Sequence, residues 1–179
     1  MKAIVCVSEN YAIGRNGDLL FHIKDDMKRF KNETVGCAVI MGKKTYDSLP
    51  EKFRPLPQRF NIVMSRSMKQ EDFHDNGALV AHSKDEVIQI LHEKWGQPEY
   101  VFIIGGESIY RMFLDECDEV LLTKVHQEVL DADAFFPNLD QLENWKRLDE
   151  DTEERLDETS GLRYSFETYQ NLDLIDKKN

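Results

Sequence analysis

The feature that most constrains the fold is a series of short apolar runs, rich in Val, Ile, Leu and Met, with polar or helix-patterned segments between them. The runs cover residues 3–7, 38–41, 60–64, 78–81, 100–104 and 120–125. Several are almost continuously apolar, which is typical of strands buried on both faces, as in a parallel sheet. The alternation of strand and helix patterns predicts an α/β fold.

Helical patterns cover residues 25–34, 83–94 and 107–114, and a further helix is expected after Gly42. The second of these opens with Ser83 and Glu86 at the spacing of a capping box. Residues 164–169 alternate aromatic and polar side chains, which favours a late antiparallel strand near a sheet edge. The length of 179 residues fits one domain over residues 1–179.

The net charge of −11 is distributed unevenly along the chain. Residues 1–114 hold 16 basic and 15 acidic side chains, whereas residues 115–179 hold 7 basic and 19 acidic ones. A general nucleic-acid-binding role requires a basic face, so this charge argues against one. No apolar run approaches the ~18–20 residues needed to span a bilayer.

The three cysteines are widely spaced and none forms a pair with zinc-ligand spacing, so no metal site is expected. Cys6 and Cys37 lie in apolar runs, which favours small buried side chains in a reducing cytoplasm. The first residues lack the long apolar region of a signal peptide and instead predict a first strand.

Two strand ends carry glycine turns followed by helices. Gly105 and Gly106 allow close approach of a ligand to the backbone, and a helix N-terminus offers amide groups to an anion. The pattern is neither GxGxxG nor a Walker loop, so a simple tight turn stays open as an alternative. After Gly42, Lys43 and Lys44 stand at a helix N-terminus, where positive charges oppose the helix dipole. Two lysines at this end are more readily explained if they face an anion. Solvated surface lysines are the alternative.

A third strand ends in Ser65 and Arg66. Open α/β sheets bind ligands beyond the carboxyl ends of their strands. Three such ends with phosphate-compatible residues therefore indicate one extended phosphorylated ligand, such as a nucleotide cofactor.

An acid lies on an apolar helix face before these turns. Asp26 and Phe30 are four residues apart and share a face, with Met27 close to it. A carboxylate among apolar side chains is costly unless it is paired. It could hold a flat, amidine-like heterocycle through two charge-assisted hydrogen bonds. Stabilisation of the helix N-terminus is the alternative for Asp26 and our interpretation of Asp25.

These segments together resemble the dihydrofolate reductase family. In chain order they read AIVCVSENYAIGRNGDLLF, DDMKRFKNET, AVIMGKKTYDSLP, RPLPQRFNIVMSR, VFIIGGESIYRMF, LLTKV, DADAFFP and YSFETY, over about residues 3–169. The resemblance implies an eight-stranded, mainly parallel sheet with an antiparallel C-terminal strand, about four flanking helices, and a tail over residues 170–179. It also implies reduction of 7,8-dihydrofolate to tetrahydrofolate with NADPH, which supplies one-carbon metabolism.

The resemblance assigns roles in substrate binding. Asp26 would hold the pterin 2-amino group and N3 and promote protonation at N5, and Phe30 would pack on the pterin. Arg59 would bind the carboxylate of the glutamate tail, a bidentate role that suits a guanidinium. Thr123 would hydrogen-bond Asp26 and an ordered water. The remaining expected substrate contacts are Ile4, Val5, Leu49 and Ile104.

The resemblance also assigns NADPH contacts. The pyrophosphate would lie on the amides of residues 105–108, and the 2′-phosphate among Lys43, Ser65 and Arg66. The peptide between Gly105 and Gly106 is cis in the family. The full expected set is Cys6, Ala12, Ile13, Gly42, Lys43, Lys44, Thr45, Met64, Ser65, Arg66, Ile104, Gly105, Gly106, Glu107, Ser108, Ile109 and Tyr110.

The implied catalytic residues are Asp26, Leu19, Phe21, Thr123 and Tyr110. Hydride transfer from nicotinamide C4 to pterin C6 requires the two rings at near contact. A loop carrying Leu19 would close over them and exclude bulk water, while one water admitted near Leu19 delivers the N5 proton. His22 is expected to be solvated.

Three positions depart from the family pattern: Leu20-Phe21 replaces Pro-Trp, Lys24 replaces Pro, and Gln58 replaces Gly. Phe21 lacks the indole donor, Lys24 loosens the helix start, and Gln58 alters the loop before Arg59.

Two alternatives stay open on the sequence alone. One is an NADPH-dependent reductase of riboflavin biosynthesis with the same fold, and the other is a non-catalytic NADPH-binding regulatory protein. For the main interpretation we expect a cytoplasmic monomer that also binds antifolate inhibitors, with no nucleic-acid or membrane partner.

Overall fold

The computed structural model describes residues 1–73, 77–97, 99–148 and 153–175. Its strands are β1 (Lys2–Val7), β2 (Ala12–Arg15), β3 (Asp18–Leu19), β4 (Ala38–Gly42), β5 (Phe60–Met64), β6 (Ala78–Ala81), β7 (Val101–Gly105), β8 (Glu119–Val125), β9 (Ala134–Phe135), β10 (Trp145–Leu148), β11 (Arg155–Leu156) and β12 (Arg163–Asn171). The α-helices are α1 (Lys24–Thr34), α2 (Lys43–Ser48), α3 (Lys84–Ile90), α4 (Glu107–Phe113) and α5 (Leu172–Ile175).

Eight strands form the main sheet in the order β10-β12-β8-β1-β7-β4-β5-β6, and the short β11 adds a ninth by pairing with β12. The strands from β8 through β1, β7, β4 and β5 to β6 are all parallel to their neighbours. β12 is antiparallel to β8 and β10. The predicted α/β class and the antiparallel C-terminal strand are therefore confirmed. The strand extends two residues beyond the predicted end, and α5 follows it where only a tail was expected.

The predicted helices are present with changed ends. α3 stops at Ile90, and a π-helical turn over Leu91–Trp95 ends at Gly96 with φ 71°. The capping box at its start is only half formed. Ser83 Oγ accepts a hydrogen bond from the Glu86 amide, but the Glu86 carboxylate accepts from the His82 amide instead of that of Ser83.

The core lies on both faces of the main sheet, because residues of β1 alternate between two apolar clusters. Ala3, Val5 and Val7 pack on the face that carries α3 and α4. Ile4 packs on the opposite face with Phe102. This two-sided burial explains why the strands are so continuously apolar.

A second, three-stranded sheet was not indicated by the sequence. β2 pairs antiparallel with β3 and with β9, which brings the segment before α1 against residues 134–135. These strands are only two to four residues long, which is too short to give an alternating pattern. In the described part of the chain, no helix is long and apolar enough to cross a membrane.

Candidate functional site

The two glycine turns lie side by side at the carboxyl edge of the sheet, because β4 and β7 are adjacent and Met41 pairs with Gly105. The Gly105–Gly106 peptide is cis, as expected. A Cβ on Gly106 would lie 3.4 Å from Thr45 Oγ1, and one on Gly42 would lie 3.2 Å from Ile109 Cγ1. The turns therefore form a cradle of closely packed backbone in which a side chain at Gly42 would crowd Ile109, and this fits the pyrophosphate of a dinucleotide.

Other side chains near these turns have protein partners. Lys43 forms an ion pair with Asp47 one helical turn away. Glu107 accepts hydrogen bonds from Arg111 Nε at 3.1 Å and the Phe135 amide at 3.0 Å. The Lys43 charge is therefore shared with an acid, and both carboxylate oxygens of Glu107 already accept a hydrogen bond within the protein. Ser108 and Lys44 are exposed.

The next strand end brings Ser65 and Arg66 to the same edge, since Gly42 pairs with Met64. Ser65 Oγ accepts from the amides of Ser67 and Met68, and Arg66 is exposed. Met64 is buried in the core beneath. His82 was not indicated by the sequence, yet its Nδ1 lies 2.8 Å from the Ser65 carbonyl oxygen. Its side chain is a candidate addition to the anion-binding set.

Asp26 lies partly buried on α1, facing β1 and β8. Burial raises the pKa of its carboxyl group, while a hydrogen bond with Thr123 and the positive charge of Arg29 act in the opposite direction. Thr123 is 1% exposed and pairs with Cys6 across the sheet. Burial and the charge of Asp26 together raise the pKa of the Cys6 thiol. A shielded carboxylate with a fixed hydroxyl partner can bind an amidine-like group.

Tyr110 connects this acid to the glycine turns. Its hydroxyl donates to the Ile4 carbonyl oxygen at 2.8 Å, and its ring would lie 3.1 Å from a Cβ on Gly105. Burial, followed by the charge of Asp26, raises the pKa of the tyrosine, so it stays a neutral donor. The predicted acid and the predicted cradle therefore share one site.

Most of the apolar side chains predicted to contact the substrate lie together as an apolar wall on one face of the sheet. Ile4 and Ile104 lie in one buried cluster, with Phe30 and Leu49 packed against it. The Val5 side chain packs on the other face of the sheet, so the predicted contact of Val5 would be made by its backbone. Met27 is 50% exposed, although it was expected near the face of Phe30. Met27 follows Asp26 by one helical step of about 100°, which turns its side chain outward.

Arg59 lies at the outer end of this wall. Its Nε and Nη2 each donate to Thr34 Oγ1 at 3.2 Å, and Nη1 donates to the Pro57 carbonyl oxygen at 2.7 Å. Its Cζ is 5.9 Å from the Phe30 ring centroid. The departure at Gln58 has a structural consequence, since this residue adopts φ 60°, a region that favours glycine.

The loop between β1 and α1 is fastened to residues 131–136. Asn16 donates its amide to Asp133 Oδ2 at 2.8 Å, and the Asp133 amide donates to the Gly14 carbonyl oxygen at 3.1 Å. Ala12 and Ile13 are buried, and Leu19 is 60% exposed. Asp133 was not singled out in the sequence, because an acid in an acidic stretch carries no local signal.

The start of α1 shows the other departures. Ile23 offers no side-chain cap, and the Lys24 amide meets Asp157 Oδ1 only at 3.5 Å. Phe21 packs on a small cluster with Tyr164, where it still provides an aromatic surface. Asp25, assigned only to the helix N-terminus, also accepts a hydrogen bond from the Tyr164 hydroxyl at 2.8 Å. His22 is exposed, as expected.

An open α/β sheet with an anion cradle and a buried acid at its carboxyl edge defines a nucleotide-dependent α/β enzyme. The sequence model of the family described as dihydrofolate reductase matches residues 1–171. Three relatives named dihydrofolate reductase are 37% identical (Bos taurus), 42% identical (Mycobacterium leprae) and 34% identical (Bacillus subtilis). The alignments cover 95%, 88% and 93% of this chain and 96%, 89% and 92% of those proteins.

The chain belongs to the dihydrofolate reductase family. It is an NADPH-dependent oxidoreductase that reduces 7,8-dihydrofolate to 5,6,7,8-tetrahydrofolate.

Proposed function

We propose that Asp26 is the acid that binds the pterin ring of dihydrofolate. The observation that carries this proposal is a partly buried carboxylate with a fixed partner, Thr123, beside the glycine cradle. The carboxylate would accept hydrogen bonds from the pterin 2-amino group and N3, and so favour the ring form that takes a proton at N5. Ile4, Phe30, Leu49 and Ile104 would enclose the apolar edges of the ring and the benzoyl group.

Arg59 would bind the carboxylate of the glutamate tail. Its present acceptors are a threonine hydroxyl and a backbone carbonyl oxygen, both neutral. A carboxylate is a stronger acceptor than either, so the planar guanidinium can exchange one of these bonds for a charge-assisted pair.

The NADPH site would run along the carboxyl edge of the sheet. When bound, NADPH supplies the hydride. The amides that follow Gly105 and Gly42, with the Thr45 hydroxyl, would bind the pyrophosphate. Ser65, Arg66 and Lys43 would surround the 2′-phosphate, for which Lys43 would have to share its charge with Asp47. Ala12, Ile13 and Leu19 would close over the rings and exclude water.

The decisive experiment measures NADPH oxidation by the loss of its near-ultraviolet absorbance when dihydrofolate is added. Steady turnover is expected. Tight NADPH binding without oxidation in the presence of dihydrofolate would contradict the proposal and favour a non-catalytic role. Turnover only with the substrate of the riboflavin-pathway reductase would favour that enzyme instead.

We further propose that residues 1–179 act as one domain and as a monomer in the cytoplasm, and that the same pocket binds antifolate inhibitors. Cys6, Cys37 and Cys117 are all free, which agrees with a reducing compartment. Gel filtration with light scattering tests the monomer.

A further inference from the structure

We infer that Arg29 is a positioning residue that keeps Asp26 charged in the working enzyme and thereby sets the pH dependence of hydride transfer. This inference rests on the proposed role of Asp26. The two residues are three apart on α1, so their side chains are neighbours on one helix surface.

The guanidinium of Arg29 is fixed from two directions. Its Nη1 donates to the Leu122 carbonyl oxygen at 3.1 Å, and its Cζ lies 4.5 Å from the centroid of the Phe166 ring. Leu122 immediately precedes Thr123, the hydrogen-bonding partner of Asp26, and Phe166 pairs with Thr123 across β8 and β12. The cation and the hydroxyl are therefore held by the same short stretch of sheet.

A cation held in this way acts without reorganisation, which makes its field at the carboxylate larger than that of a mobile surface charge. Burial disfavours the charged form of Asp26, and both Thr123 and Arg29 oppose this effect. Without the Arg29 charge, the hydrogen bond from Thr123 would be the main interaction left to offset the effect of burial on the Asp26 pKa. The protonated acid would then persist to higher pH.

Among the described residues, the other groups that we place next to Asp26 are neutral or acidic. The Cys6 thiol on β1 and the Tyr110 hydroxyl on α4 are both kept neutral by burial. Asp25 is hydrogen-bonded to Tyr164. Arg155 on β11 is the second cation in this region, with its Cζ 4.9 Å from the Phe166 centroid, on the ring that Arg29 also contacts. It is therefore included in the test.

The test compares the pH profile of single-turnover hydride transfer in the wild type, Arg29→Gln, Arg29→Lys and Arg155→Gln. We expect the inflection in Arg29→Gln to move to higher pH, so that the rate at a pH between the wild-type and variant inflections differs several-fold from that of the wild type. Arg29→Lys keeps the charge and should recover most of the wild-type profile. Lys28→Gln, an equal change of net charge at an exposed neighbour, should not move the inflection.

An unchanged inflection in Arg29→Gln, or an equal shift in Lys28→Gln, overturns the inference. So does a shift in Arg155→Gln as large as that in Arg29→Gln. If Arg29→Gln does not fold, Phe166→Leu, which removes the ring but keeps the cation, should give a smaller shift in the same direction. If Phe166→Leu shows no such shift, the inference is contradicted.

A second readout does not need activity. Carbon-13 NMR of labelled aspartate carboxyl groups in the ligand-free protein follows Asp26 directly, with Asp26→Asn used to assign its signal. Arg29→Gln should raise the midpoint of that titration. Lack of turnover with dihydrofolate would contradict the proposed function alone, whereas an unmoved Asp26 titration would contradict the role of Arg29 alone.

Discussion

Asp26 and Asp25 show how adjacent, chemically identical side chains acquire different roles from their surroundings. Asp25 points to the Tyr164 hydroxyl at the start of α1, whereas Asp26 turns into the sheet, where Thr123 is its partner. The helical step between them places one on each side of a boundary between solvent and core. Burial then raises the pKa of Asp26, and perturbed carboxyl groups of this kind cluster at functional sites.

The first prediction concerns Asp26→Asn. Hydride transfer at neutral pH should fall by roughly 10²–10⁴-fold because the amide cannot favour protonation of the substrate. Partial rescue is expected at low pH, where solvent supplies the proton. Single-turnover measurements across pH check both effects.

The same substitution should affect stability in the opposite direction. The folded-state pKa of Asp26 lies above its unfolded value, so the wild type loses stability as pH rises through the folded pKa. Asp26→Asn should therefore unfold at higher urea concentration than the wild type at neutral pH. Asp25→Asn is the matched control. It weakens the hydrogen bond with Tyr164 and should lower stability, while the pH profile of hydride transfer stays that of the wild type. Wild-type rates in Asp26→Asn would remove its proposed role.

At the scale of elements, the glycine turn between β7 and α4 is the most constrained connection of the site. Gly105 adopts φ 114°, a region that side chains rarely enter, and a Cβ there would meet the Tyr110 ring at 3.1 Å. Any displacement of Tyr110 weakens its hydrogen bond to Ile4. The conformation of Gly105 and the position of Ile4 in the pterin site are therefore coupled through the Tyr110 ring.

Gly105→Ala should destabilise the fold by about 1–3 kcal/mol through backbone strain and also weaken NADPH binding by displacing Tyr110. Urea unfolding and a fluorescence titration with NADPH measure the two effects. Gly96→Ala is the control, since Gly96 also has positive φ but a Cβ added there would meet nothing within 4 Å. It should lose stability without losing NADPH affinity. Equal NADPH affinity in the two variants would argue against the coupling.

The loop between β1 and α1 depends on a few polar contacts. Asp133→Ala removes the acceptor of the Asn16 amide, an exposed hydrogen bond that contributes about 0.5–1.5 kcal/mol. The loop should then be held against residues 131–136 less often, and hydride transfer should slow by roughly two- to tenfold.

Asp131→Ala is the matched control for the loop. It removes an ion pair with Arg15 in which the two side chains are 70% and 49% exposed, and such pairs contribute little. Stopped-flow measurement of hydride transfer should show a clear loss for Asp133→Ala and little change for Asp131→Ala. Similar rates in both variants would mean that the Asn16 contact does not hold the loop.

How far the sequence predicts this structure differs between its elements. The main strands were predictable because burial on both faces leaves a continuous apolar run, as in β4 and β5. The small sheet of β2, β3 and β9 was not, since β2 pairs with β9 more than a hundred positions away. Within the site, Asp26 was predictable from its helix face, and the Lys43–Asp47 pair has the local i,i+4 spacing of a helix. The contact between Asp133 and Asn16 was not predictable, because it joins residues far apart in the chain.

At the scale of the whole molecule, the excess of acid in residues 115–179 is not only a solvated surface. Asp140 accepts hydrogen bonds from the Tyr11 and Tyr169 hydroxyls, each at 2.8 Å. Lys124 lies 3.9 Å over the Tyr11 ring. These contacts tie the near-neutral part of the chain, which holds most of the ligand site, to the acidic part. Tyr11 directly precedes β2, so the tie also fixes one end of the loop between β1 and α1.

The final prediction concerns the acid sensitivity of this tie. Burial alone would raise the pKa of Asp140, but the hydrogen bonds from Tyr11 and Tyr169, with the charges of Lys124 and Arg147, lower it overall. A folded-state pKa below the unfolded value gives stability that is present above the ordinary aspartate range and lost as pH falls through the folded pKa. Because the Asp140 side chain is largely exposed and screened by solvent, Asp140→Asn should unfold only about 0.5–1 kcal/mol more easily at neutral pH. The difference from the wild type should shrink as the medium is acidified. Urea unfolding at a series of pH values checks this, with Asp115→Asn at an exposed position as the control. A difference that stays constant with pH would show that the Asp140 charge does not contribute to the tie.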